Sequence, residues 1–134
     1  MRIRHEVQAV IFDDAEDVNK VLLLKKTDFS AKKFRWRLLK GGVHDGETET
    51  EALEREILEE TGLKSIKILD KVHWYEFVFK NVKHVVSSYF VRADSKEQIK
   101  LQKSEVAGYI WTTREEALQL LYWNNEKEPM KQLK

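Results

Sequence analysis

Residues 41 to 63 read GGVHDGETETEALEREILEETGL, and the rest of the chain takes its meaning from this stretch. A glycine-bearing loop runs into a segment crowded with glutamates. Thr48 followed by Glu51 has the spacing of a capping box, which marks a helix start. Gly62 sits where a left-handed residue closes a helix, a backbone state that glycine reaches without a Cβ clash. Between the two signals, Ala52, Leu53, Ile57 and Leu58 are candidates for a core-facing stripe.

The acids on this helix are placed oddly. Glu56, Glu59 and Glu60 are spaced i, i+3, i+4, so the pattern predicts one shared face. Glu56 and Glu60 should repel at that spacing, and Glu59 and Glu60 oppose the helix dipole in the last turn. Each effect costs about 0.3–1 kcal/mol at an exposed site. Lys64 is the one cation just beyond the helix end. A stretch that works against local stability suggests a function that needs the charge. Convergent carboxylates suit a hard divalent cation, Mg²⁺ or Mn²⁺, bound through oxygen.

Composition sets the bounds. The chain has 134 residues, a formal net charge of +1 and 42% hydrophobic residues, which suits one domain spanning 1–134 with a sizeable core. Near-neutral charge gives no support for a general nucleic-acid or membrane surface, so no stable nucleic-acid partner is expected. There is no cysteine, which excludes disulfides, thiolate catalysis and zinc–thiolate sites. The start, MRIRHEVQAV, carries charge inside its short apolar run and does not read as a signal peptide. No run is long enough to span a bilayer as a helix, so the default expectation is a cytoplasmic protein.

Taken in order, HEVQAVIF (5–12) and KVLLL (20–24) read as strands, with an acidic turn between them. Residues 25–33 read as a basic loop, and FRWRLL (34–39) as a short strand delivering the chain to Gly41. After the helix, residues 66–79 are β-rich, Asn81 marks a hairpin turn, and residues 82–92 return as the partner strand. Residues 93–104 read as a loop and VAGYIWT (106–112) as a last strand. Thr113 with Glu116 then repeats the capping-box spacing before a helix through about Trp123. Pro129 should break or start whatever follows Asn124 and Asn125. The order β-β-β-α-β-β-β-α implies a mixed α/β or α+β fold.

Nine positions in residues 41–63 resemble the Nudix hydrolase signature, Gly-x5-Glu-x7-Arg-Glu-U-x-Glu-Glu-x-Gly-U with U aliphatic. They are Gly41, Glu47, Arg55, Glu56, Ile57, Glu59, Glu60, Gly62 and Leu63, in one register without a gap. The resemblance implies a mixed sheet sandwiched between helices. It also implies hydrolysis of a nucleoside diphosphate linked to a second group, with a divalent metal neutralising charge and activating water. Under it, Glu56, Glu59, Glu60 and the carbonyl of Gly41 are metal ligands, Glu47 and Arg55 brace the loop and helix, and Glu59 is a candidate general base. Glu105, just before the last predicted strand, matches a region where many family members carry a further metal-binding or basic glutamate.

Residues 36–41, WRLLKG, resemble the W-x-x-P-K-G entry of small diadenosine polyphosphate hydrolases, with Leu39 standing at the proline position. The resemblance makes Lys40 a candidate phosphate contact, since a flexible ammonium suits a phosphate. Arg35 and Arg37 lie in a local basic cluster suited to a polyphosphate chain. Trp74 and Tyr75 cannot both face a core on a regular strand, so one is exposed or lines a cleft, and Tyr75 is the candidate to stack on a base. The substrate reading is a nucleotide, favouring a dinucleoside polyphosphate. A nucleoside triphosphate, an RNA 5′ end, and a non-catalytic nucleotide-sensing role stand as alternatives.

Overall fold

A computed structural model describes residues 1–102 and 106–134. The elements are β1 (Arg2–Asp13), β2 (Lys20–Asp28), β3 (Lys33–Arg37), β4 (Leu39–Gly42), α1 (Glu49–Thr61), β5 (Lys67–Phe79), β6 (Val82–Arg92), β7 (Val106–Thr113), α2 (Arg114–Leu120) and α3 (Asn124–Gln132). The strands form one mixed sheet, ordered β3-β2-β1-β6-β5, with β4 also paired to β1 and β7 to β2. β1 runs parallel to β6 from Arg2↔Val82 to Phe12↔Arg92. Its other edge is divided: Glu6–Ala9 pair antiparallel with β4, and Phe12 and Asp13 pair with β2.

The period of two along β1 sorts the core into halves. Val7, Ala9 and Ile11 pack with Ala52, Leu53 and Ile57 of α1. Val10 and Phe12 point the other way, to Ala117, Leu121 and Met130 of the C-terminal segment. The result is the expected mixed sheet between helices. No helix among the described residues is long and apolar enough to cross a membrane.

Helix α1 begins and ends as its local sequence dictates. Both halves of the capping box form, Glu51 N–H to Thr48 Oγ1 at 3.2 Å and Thr48 N–H to Glu51 Oε1 at 2.9 Å. Gly62 adopts φ 75°, and its N–H bonds the carbonyl of Leu58 at 2.9 Å. Leu58, however, is 50% exposed and not in the core. The last carbonyls of α1 are met from the segment read as a loop: Lys100 and Gln102 donate N–H groups to Thr61 and Glu60 at 2.8 and 3.2 Å.

Three boundaries differ from the sequence reading. The supposed loop 25–33 is mostly sheet, since β2 continues to Asp28 and β3 starts at Lys33. Its four-residue turn is organised by Asp28, which accepts hydrogen bonds from the Ser30 N–H, the Ser30 hydroxyl and the Ala31 N–H. The penultimate helix stops at Leu120, not near Trp123, because Leu121 leaves the helix to bridge Trp36. Pro129 neither starts nor breaks α3 but lies inside it. The N–H that proline lacks would bond the carbonyl of Asn125, and that carbonyl instead accepts the Gln8 side-chain amide at 3.1 Å. The missing donor thereby joins α3 to β1.

Candidate active site

Arg55 organises the loop that leads into α1. Its Nε donates to Glu47 Oε2 at 2.7 Å, and its Nη2 donates to Glu47 Oε1 at 3.0 Å and to the carbonyl of Gly42 at 2.7 Å. Nη1 reaches Glu56 Oε1 at 2.9 Å and Glu59 Oε2 at 3.4 Å. Glu47 also accepts the His44 N–H at 2.8 Å. The Arg55 hydrogen bonds, with that amide, hold the Glu47 carboxyl down at about 2. One guanidinium therefore closes residues 42–47 against the helix and orients two of the glutamates.

Glu56 lies directly over β4. A Cβ at Gly41 would come within 2.1 Å of Glu56 Cδ, so only glycine admits the carboxylate there. Glu60 is turned inward and its side chain is 4% exposed, while that of Glu59 is 52% exposed. Lys26 of β2 meets both oxygens of Glu60, at 3.3 and 3.4 Å. The repulsion expected between Glu56 and Glu60 is thus answered by cations, Arg55 at one and Lys26 at the other. Lys26 is a residue of the candidate site that the sequence reading missed. The alternation Leu22, Leu24, Lys26, which puts all three on the α1 side of β2, was the available signal.

The donor chemistry fits a hard divalent ion, since three carboxylates and the Gly41 carbonyl offer oxygen alone and the Gly41 cradle makes room for Glu56. As the side chains stand, no group of three His, Asp or Glu residues is gathered closely enough to hold a metal, among the described residues. Glu105 lies outside the described residues.

On the other side of β4 the character changes. Lys40 stands 4.0 Å from buried Glu6 and 5.2 Å above the ring of Phe77. Burial pulls the Lys40 ammonium below its ordinary range, with Glu6 opposing the shift. An aromatic ladder runs beside it, His73 to Tyr75 at 5.8 Å, Tyr75 to Phe77 at 6.1 Å and Phe77 to His84 at 4.5 Å. Tyr75 is half-buried and donates its hydroxyl to Gln8 at 3.2 Å, whereas Trp74 is 60% exposed on the opposite face. Lys40 and Tyr75 are thus brought to one face.

Arg35 and Arg37 are not brought to it as unmatched cations. Arg35 bonds Asp28 at 2.6 Å and stacks over Tyr122 at 3.8 Å. Arg37 donates to Glu126 Oε2 at 3.1 Å, and Glu126 Oε1 accepts the Leu38 N–H at 2.7 Å. Burial pushes the Glu126 carboxyl up, against the pull of Arg37 and the Leu38 amide. Nothing in the polar run Asn124–Asn125–Glu126 marks Glu126 as buried.

A family model described as NUDIX domain matches residues 3–133. An RNA pyrophosphohydrolase of Helicobacter pylori is 33% identical over 91 residues, covering 66% of this chain and 57% of that protein. The chain spans little more than half the length, or less, of the first curated relatives it matches. Among solved structures, a C. elegans Ap4A hydrolase binary complex has a TM-score of 0.82 at 20% identity, covering 96% of this chain and 93% of that one. An E. coli dihydroneopterin triphosphate pyrophosphohydrolase has a TM-score of 0.79 at 19% identity, covering 99% and 97%. These two likenesses establish the fold, and the family match through almost the whole sequence shows that the chain belongs to the Nudix family.

Proposed function

We propose that this chain is a divalent-metal-dependent pyrophosphohydrolase that cleaves a nucleoside diphosphate linked to a second group, with a dinucleoside polyphosphate such as diadenosine tetraphosphate as substrate. The observation that carries the reading is β4 itself. Gly41 on one side admits Glu56, and its neighbour Lys40 on the other side stands over the aromatic ladder. A phosphate chain crossing this strand would have carboxylates at one end and a base platform at the other.

Glu56, Glu59, Glu60 and the Gly41 carbonyl are the groups that would hold Mg²⁺ or Mn²⁺, which would neutralise phosphoryl charge and lower the pKa of the attacking water. Arg55 and Glu47 keep the loop and helix in register during that chemistry. Glu59, the most exposed of the three acids, is the candidate to take the proton from water. Lys40 binds a phosphate that does not react, and Tyr75 and Phe77 offer rings to a base. Arg35 and Arg37, each matched to a carboxylate, are the weaker phosphate contacts.

An RNA 5′ end is the second reading. It is favoured by the names of the curated relatives and by the exposed rings of Phe34, Tyr122 and Trp123, set among Lys25, Arg35 and Arg37. The test compares diadenosine tetraphosphate, 5′-triphosphorylated RNA and deoxynucleoside triphosphates in Mg²⁺, with products resolved by chromatography. Asymmetric cleavage to ATP and AMP, with the highest kcat/KM of the three, is expected. A higher kcat/KM for RNA selects the second reading, and no Mg²⁺-dependent turnover on any substrate removes the enzymatic one. Lys40→Ala should raise KM more than it lowers kcat, and Glu59→Gln should lower kcat by orders of magnitude.

A further inference from the structure

Lys26 follows Leu22 and Leu24 on the α1-facing side of β2, at a point where the pairing with β7 shifts register between Lys25 and Lys26. Irregularities of this kind re-aim side chains next to sites. Here the ammonium reaches Glu60 across 34 positions of sequence, with only 18% of the Lys26 side chain exposed. Its distances to the two carboxylate oxygens, 3.3 and 3.4 Å, are nearly equal, so the cation straddles the carboxylate. Arg55, by contrast, bonds Glu56 through Oε1.

A divalent ion held by Glu60 would need the carboxylate oxygens that the Lys26 ammonium now meets. Two cations crowd each other at that carboxylate, because like charges at contact distance repel strongly where solvent screening is poor. We propose that Lys26 is a resident counter-cation of Glu60 that competes with the divalent metal, so that metal binding requires its displacement. This rests on the reading of Glu60 as a metal ligand. Lys26 then sets the metal affinity from a strand outside the signature, and it compensates the buried charge of Glu60 whenever the ion leaves. A lysine suits the role better than an arginine, since its flexible stem can carry a point charge aside while a planar fork is held by geometry.

The experiment measures Mn²⁺ binding to the full chain by electron paramagnetic resonance, with no substrate present. Lys26→Met, which keeps the length of the apolar stem and removes the charge, should bind Mn²⁺ at least about tenfold more tightly than wild type. Lys26→Arg should bind Mn²⁺ no more tightly than wild type, because the fork keeps the charge and yields less readily, and Glu60→Gln should bind weakly with either lysine or methionine at 26. Saturable wild-type binding with equal or weaker binding by Lys26→Met overturns the competition while leaving the metal site standing. Absence of saturable binding in wild type overturns the metal reading and the competition with it. Should Lys26→Met fail to fold, ¹³C-labelled lysine in the wild type supplies a second measurement. The Lys26 Cε resonance should move with Mg²⁺ in step with binding and stay still in Glu60→Gln, and an unmoved wild-type resonance at saturation overturns the proposal.

Discussion

Arg55 is bonded to Glu47, Gly42, Glu56 and Glu59, so one side chain decides the shape of the loop and the attitude of two acids. The consequence can be read through pH. Glu47 has its carboxyl lowered from 4.5 to about 2 in the folded chain. A depressed folded value contributes stability that is present above the unfolded value and lost as pH falls through the folded one. Glu47→Gln should therefore melt below wild type near neutrality, and the gap should close between pH 4.5 and 2. Thermal unfolding followed by circular dichroism across that range checks it. A gap independent of pH would mean that the carboxylate charge is not what Arg55 uses.

At the scale of the element, α1 overturns a stability argument that its own sequence invites. Helix arithmetic alone makes Glu60 a burden, with Glu56 one turn earlier and the dipole against it, and predicts that Glu60→Gln is neutral or stabilising without metal. The sheet beneath the helix changes the sign. Glu60 is buried and paired with Lys26, and removing its charge leaves the ammonium without its ionic partner in a poorly hydrated place. Glu60→Gln in chelator should lower unfolding free energy by about 1–3 kcal/mol, less than a fully buried pair would lose because Lys26 can reach water. Urea unfolding in chelator measures this, and an unchanged or raised midpoint would return Glu60 to the helix-only account.

For the whole molecule, the decisive joint is between α3 and the two strands ahead of the signature. Glu126 accepts from Arg37 and from the Leu38 N–H, and next to it the Asn125 carbonyl takes the Gln8 amide. The C-terminal helix thereby holds the β3–β4 junction, from which Lys40 and Gly41 follow. Glu126→Ala leaves a partly exposed guanidinium and a buried amide without their acceptor and should cost about 2–4 kcal/mol, short of a fully buried pair because Arg37 reaches water, whereas Glu126→Gln keeps an acceptor for Leu38 and should cost less. Chemical denaturation of the pair gives the order. Equal losses would show that the carboxylate charge facing Arg37, and neither bulk nor the acceptor for Leu38, secures the helix.

The sequence by itself determined what depends on neighbours along the chain. The capping box of Thr48 and Glu51, the glycine stop at Gly62, the alternation of β1 and the signature from Gly41 to Leu63 are all short-range, and they suffice for the fold class and the family. Leu58 was misread because an apolar residue at helical spacing has no local mark of exposure, and the end of α2 because Leu121 leaves the helix for a bridge to Trp36, a partner distant in sequence. Tertiary structure alone decided the pairings of charge: Lys26 with Glu60, Arg37 with Glu126, and Lys40 beside Glu6. The physical reason is that a hydrogen-bonded cap is fixed by a few adjacent torsions. The partner of a buried charge is fixed by strand register and by which helix lies over which face, and no local spacing encodes either.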